Sequence, residues 1–274
     1  MILPPIDYLM LRLVRHFLPE GAARFLLRHN WLIHPGLETR APQEAAQRYL
    51  DTLAQHGVSV GGRRVMVFGY GGSYALGCLL LQAGASHVVL SEKEHRPDRK
   101  RNAALLAQFP HYLLGSAGNV QPNPNCLTLV HGDIRAAPGR LAPVDVVLSN
   151  SVYEHLEDVP GITQALARLT TPQGAGLHFI DLRDHYFKYP FEMYCYDEAT
   201  WRRWLNPTSN HNRFRLGDYR RAFSASFARV SLDVLGRDPL ALERARPRLR
   251  PEFLTNDPQE DSVTLAAAWV TGPK

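Results

Sequence analysis

The run Arg64-Val65-Met66-Val67-Phe68-Gly69-Tyr70-Gly71-Gly72-Ser73-Tyr74-Ala75-Leu76-Gly77 constrains the fold more than any other part of the chain. A short apolar strand enters a glycine-rich turn and continues into an apolar helix. Glycine suits such a turn because a residue without Cβ accepts positive φ and lets a ligand approach the main chain closely. Gly-x-Gly-Gly also occurs in plain loops, so the turn gains its meaning from the ends of the next three apolar segments.

Each of those segments ends in polar residues. His87-Val88-Val89-Leu90 runs into Ser91-Glu92-Lys93, and a carboxylate at that place in a βαβ unit can accept two hydrogen bonds from a ribose diol. Leu127-Thr128-Leu129-Val130 ends at His131-Gly132-Asp133-Ile134, where an acid and a backbone N–H can read an adenine edge. Val144-Asp145-Val146-Val147-Leu148 ends at Ser149-Asn150-Ser151-Val152-Tyr153-Glu154-His155. Parallel strands bring all of these ends to one crevice.

In this order and spacing the motifs resemble class I S-adenosylmethionine-dependent methyltransferases, over roughly residues 45–272. The matching positions are the glycine turn, Glu92, Gly132-Asp133 and the segment 151–158. The resemblance implies an α/β fold with a Rossmann-like, mostly parallel seven-stranded sheet and S-adenosylmethionine as cofactor. It assigns cofactor binding to Gly69, Tyr70, Gly71, Gly72, Glu92 and Lys93, then to Gly132, Asp133, Ile134, Asn150, Ser151 and Val152. A nicotinamide dehydrogenase is the main competitor, but Gly-Tyr-Gly-Gly-Ser lacks the third glycine of that fingerprint.

Composition narrows the class. Cys78, Cys126 and Cys195 are few and scattered, which favours a reducing cytoplasm and no zinc. No apolar run reaches membrane-spanning length, and the N-terminus lacks a signal peptide's order of residues. The net charge of +5 invites a nucleic-acid partner, and Arg237, Arg244, Arg246, Arg248 and Arg250 lie close together. They alternate with prolines and acids and lack interleaved aromatics, so this stretch reads as a solvated loop and the substrate as a small molecule. Asn150-Ser151-Val152-Tyr153 also lacks the proline pair that nucleobase amino-methylating enzymes use.

Residues 1–60 read as an N-terminal helical region and 61–274 as the cofactor-binding domain, with a substrate-binding insertion at about 183–225. The first helix, with Leu9, Leu13 and Phe17 among basic residues, could be a lid, a homodimer surface or a membrane-touching face. Lid or packing is favoured, without stable membrane association. Pro42 suits the start of a helix through Tyr49 and Leu53. Helices are expected at residues 74–83, 98–109 and 159–169, an exposed loop at 111–126, a fifth strand at 176–181, and a final antiparallel pair at 227–234 and 263–270.

Methyl transfer from a sulfonium is an in-line displacement, which needs a base only where the acceptor must lose a proton. His155 and His185 are the candidate bases, Asp181 a residue that holds the acceptor or orients His185, and Tyr153 an aromatic beside the cofactor. His178 reads as a core histidine. The insertion's Trp-x-x-Trp-Leu-Asn-Pro followed by Asn-Arg-Phe-Arg resembles a subgroup of small-molecule methyltransferases. One departure stands out: Val67 occupies the place of the family's usual acid, which helps hold the cofactor's ammonium group. That absence leaves three functions open. They are methylation of a small metabolite in biosynthesis, conversion of the cofactor to azetidine-2-carboxylate and methylthioadenosine, and a non-catalytic cofactor-binding subunit of a partner enzyme.

Overall fold

The computed structural model describes residues 6–19, 37–116, 118–184, 189–206 and 211–274. Seven strands form one sheet: β1 (Arg64–Phe68), β2 (His87–Glu92), β5 (Leu127–His131), β6 (Val144–Asn150), β7 (Thr170–Asp181), β8 (Phe227–Arg237) and β9 (Val263–Pro273). Their spatial order is β5-β2-β1-β6-β7-β9-β8. The first five run parallel, and β9 lies antiparallel between β7 and β8, as the sequence predicts. The strand order reverses between β1 and β6, so the carboxyl ends of these two strands open the crevice where such sheets bind ligands.

Helices cover both faces. α1 spans Ile6–Phe17, α2 Leu37–Arg40, α3 Pro42–Gln55, α4 Ala75–Gln82, α5 Arg99–Leu105, α6 Val159–Leu169, α7 Leu216–Ser226 and α8 Pro239–Ala245. One core layer joins Tyr49 and Leu53 of α3 and Leu76 and Leu80 of α4 to Val65, Val67, Val88 and Leu90. The opposite layer joins Val159, Ile162 and Leu166 of α6 and Phe223 of α7 to Met66, Val89 and Val147. Alternation along β1 sends Val65 and Val67 to one layer and Met66 to the other, as expected for a strand buried on both faces. α6 starts where the sequence places it, because Asp158 accepts the Gly161 N–H at 2.9 Å and Pro160 suits the first turn.

Three expectations change. Residues 113–122 are not a plain loop: β3 (Leu113–Ser116) pairs antiparallel with β4 (Asn119–Pro122). Gly115 makes this possible, since a Cβ there would lie 2.2 Å from the Asn119 carbonyl oxygen. The stretch 216–226, read as the end of the insertion, is α7, which packs on α6 and the sheet. The arginine-rich stretch near the C-terminus keeps Arg237, Arg244 and Arg246 exposed to solvent, as expected, but it is helical over Pro239–Ala245 instead of loop. Asp238 caps α8 by accepting the Ala241 N–H at 2.9 Å, and Leu242 and Ala245 are buried. They join a third cluster with Tyr8, Phe191, Met193, Tyr194, Trp201 and Leu205, so α8, α1 and the insertion form one body above the sheet edge.

That body is cross-tied by buried charge. Arg12 of α1 is ion-paired to Asp184, just past β7, and donates from Nη1 to the Leu205 carbonyl at 3.2 Å. The Tyr8 hydroxyl donates to Asp184 at 2.8 Å. α1 therefore packs on the insertion, while Ile6, Met10, Val14 and Phe17 stay exposed. No helix among the described residues is long and apolar enough to cross a membrane.

Candidate functional site

The glycine turn after β1 adopts positive φ at Gly69, Gly71 and Gly72. Gly69 is required twice over: its φ is 83°, and a Cβ would fall 2.3 Å from Cγ2 of Val152. The turn and the segment after β6 are thus packed directly together. Tyr70 is buried, with its ring 6.4 Å from that of Tyr74.

On the β2 side, Glu92 is the hub. Its Oε2 accepts the Gly71 N–H at 3.2 Å, and its Oε1 accepts the N–H groups of Lys93 and Glu94 at 3.0 Å each. Burial opposes its charge, but hydrogen bonds from His95, Glu94 and Gly71 hold the carboxyl below the usual carboxylate range. Lys93 points away to Glu94, 3.3 Å from its carboxylate. One strand further, Gly132 donates to the Glu92 carbonyl at 2.9 Å, and Ile134 is buried. Asp133 takes a bidentate grip from Arg135, whose other nitrogen reaches Asp158 at 2.7 Å. Hydrogen bonds from the Arg135 side chain and backbone pull Asp133 down to about 2.

On the β6 side, Asn150 and Phe179 are register partners at the ends of β6 and β7. Ser151 adopts φ 53° and donates its N–H to the Phe179 carbonyl at 2.9 Å. The Asn150 amide donates to Glu38 Oε2 at 3.1 Å, and the Tyr49 hydroxyl donates to Glu38 Oε1 at 3.0 Å. The Arg48 guanidinium lies over the Phe179 ring, 3.5 Å from its centroid. Sequence reasoning missed Glu38 and Arg48. The four residues of α2 are too few to show a period, and Arg48 reads as the solvent face of α3.

The catalytic candidates separate. Tyr153 is fully buried among His178, Tyr219 and Phe223, with ring centroids 4.8, 6.3 and 4.9 Å away. Its apolar ring is drawn into the core, and this packing role replaces the expected place beside the cofactor. His178 is also core: its Nδ1 pairs with the Ser149 hydroxyl at 2.8 Å, and burial lowers its pKa to about 3. His155 is partly exposed, with its ring 5.6 Å from that of His211. Asp181 is gripped by Arg183, from Nε at 2.9 Å and Nη2 at 3.0 Å, at the mouth of the crevice. His185 lies outside the described residues.

The insertion's own motif is largely scaffolding. Asn212 donates to the carbonyls of Tyr153 at 2.7 Å and Leu156 at 3.0 Å, which pins the segment after β6. Trp201 and Asn206 both donate to the His211 carbonyl. Arg213 is buried, donates to the carbonyls of Met193 and Tyr196, and pairs with Glu198. Among the clustered arginines, Arg237 donates to the Gln259 carbonyl and Arg250 to Glu252, both at the solvent-exposed surface.

Residues 107–177 match the family model described as a methyltransferase domain. Two solved structures share the architecture. One is a protein assigned as a sarcosine dimethylglycine methyltransferase from Galdieria sulphuraria, with TM-score 0.54 and 14% identity over 92% of this chain and 97% of that one. The other is a geranyl diphosphate methyltransferase in complex with SAM, with TM-score 0.51 and 12% identity over 85% of this chain and 86% of that one. Comparison of the sequence with curated proteins gives no match. The sheet is that of the Rossmann-like methyltransferase fold.

Proposed function

We propose that this chain binds S-adenosylmethionine in the crevice between β1 and β6 and transfers its methyl group to a small metabolite. The observation that carries the reading is Glu92, an ionised carboxylate hydrogen-bonded to the N–H of Gly71 in the turn at the strand-switch point. The residues fit the cofactor. Oε1 of Glu92 takes the N–H groups of Lys93, Glu94 and His95, while Oε2 accepts that of Gly71 and keeps an acceptor position for a ribose hydroxyl. Asp133 and the Gly132–Ile134 backbone stand at the next strand end, where the base would lie. The methyltransferase-domain match over residues 107–177 supports the same reading.

When bound, the cofactor supplies an electrophilic methyl group on a sulfonium. The protein's part is to hold donor and acceptor in line, which can provide several kcal/mol of the acceleration. The α1–insertion body closes over the strand ends and carries the acceptor, with Asp181 and Arg183 at the mouth. His155 takes the proton of an acceptor that must lose one. A small acceptor is favoured because the basic cluster has no interleaved aromatics on which bases could stack.

Calorimetry with S-adenosylmethionine, followed by product analysis with and without candidate acceptors, tests the reading. Binding is expected, with S-adenosylhomocysteine formed only when an acceptor is added. Methylthioadenosine formed from the cofactor alone together with azetidine-2-carboxylate would instead establish cyclisation, binding without turnover would establish the subunit role, and absence of binding would overturn the assignment.

A further inference from the structure

A long ligand laid across the crevice has two ends, and the structure provides for both. With its nucleoside over Glu92 and Asp133, on the β2–β5 side of β1, its other end crosses the glycine turn to the β6–β7 side. Strand β1 offers no charge there, since Val67 is buried in the core. The charge comes instead from α2 and α3. Glu38, Ala45, Arg48 and Tyr49 line a narrow cleft against Asn150 and Phe179.

Glu38 is only 6% exposed, yet its two side-chain hydrogen-bond donors, the Tyr49 hydroxyl and the Asn150 amide, are both neutral. A carboxylate offers about four acceptor positions, and its own backbone N–H takes another, so about one remains. Burial raises its pKa, which a cation delivered to it would reverse. Arg48 stands beside it, flat on Phe179, as a positive group. A buried carboxylate next to a guanidinium is complementary to an α-amino acid zwitterion, and the methionine end of S-adenosylmethionine is such a zwitterion.

We propose that Glu38 and Arg48 form the subsite for the amino-acid end of the cofactor, with Glu38 receiving the ammonium group and Arg48 the carboxylate. This rests on the reading that the crevice binds S-adenosylmethionine. It explains how the chain does without an acid at Val67: the carboxylate is brought by a separate helix, whose Glu38 lies 112 residues before its partner Asn150. It also bears on the chemistry, because an amine held as ammonium has no lone pair with which to displace sulfur and close a ring.

Calorimetry on the full chain with three probes tests the subsite. S-adenosylhomocysteine carries the whole amino-acid end, methylthioadenosine lacks it, and decarboxylated S-adenosylmethionine keeps the amine alone. Glu38→Gln is expected to weaken S-adenosylhomocysteine by about 10–100-fold, as for a lost charge-assisted hydrogen bond, while methylthioadenosine stays within about twofold. Arg48→Gln is expected to weaken S-adenosylhomocysteine and spare decarboxylated S-adenosylmethionine. Should Glu38→Gln fail to fold, the half-buried Arg48 decides through its own pair of probes. Equal losses on both probes of a pair, or none, would overturn the subsite while leaving the cofactor reading intact. If the wild-type chain bound none of the three, the cofactor reading itself would fall.

Discussion

The two halves of the crevice are built in opposite ways. On the β2–β5 side the carboxylates bond mostly close neighbours: Glu92 caps its own following residues and reaches Gly71 21 positions away, and Asp133 grips Arg135 two positions on. On the β6–β7 side the contacts span the chain, with Glu38 to Asn150 at 112 residues, Tyr8 to Asp184 at 176 and Arg12 to Leu205 at 193. The local half needs only a strand, a turn and a helix to exist. The long-range half needs the whole molecule, so substitutions there are expected to act through the fold.

The comparison can be broken from either side. Asp184→Asn removes the buried ion pair with Arg12 and is expected to cost about 3–5 kcal/mol, read as a lower urea midpoint. A cost below about 1 kcal/mol would show that the α1–insertion body does not stabilise the domain. Gly69→Ala tests the local half. Positive φ and the clash with Val152 together predict a loss of about 2–4 kcal/mol. Adding Val152→Ala should recover the steric share and leave the backbone share, and no recovery would mean that the clash is not what makes glycine necessary.

Smaller effects sharpen the contrast. Glu92→Ala is expected to weaken cofactor binding by about 1–3 kcal/mol, and an unchanged calorimetric affinity would remove its ribose role. For His178 the sign is set by its folded pKa of about 3, far below the usual histidine value near 6.5. Between those values the unfolded chain binds the extra proton, so stability present at neutral pH falls as pH drops through that window, by up to about 1.4 kcal/mol per pH unit. His178→Leu should flatten that slope in melts taken from about pH 6.5 to 4.5. An unchanged slope would place the pH sensitivity elsewhere.

Strands β1, β2 and β6 were legible because burial on both faces leaves continuous apolar runs with punctuated ends, and the edge strand β5 because its run 127–130 ends at polar residues. α6 was legible because Asp158 and Pro160 mark its start. The hairpin of β3 and β4 was not, since its glycines and prolines read equally well as loop. α8 was obscured by arginine charge, although Asp238-Pro239 is a start signal of the same kind. Tyr153 looked like a site residue from its position after β6 and turned inward, because neighbours from β7 and α7 complete an aromatic cluster that its own segment does not announce. Glu38 was invisible for the converse reason. Its meaning comes from Asn150 and Phe179, and nothing in Leu37-Glu38-Thr39-Arg40 names them.

The tie between Arg12 and its partners bears on synthesis. Asp184 and Leu205 leave the ribosome 172 and 193 residues after Arg12. A helix of α1's 12 residues is marginal alone in water. Through most of translation the nascent chain therefore carries an N-terminal segment with apolar and basic residues and nowhere to dock, exposed to chaperones and proteases. Its capture waits until the chain has been made through Leu205.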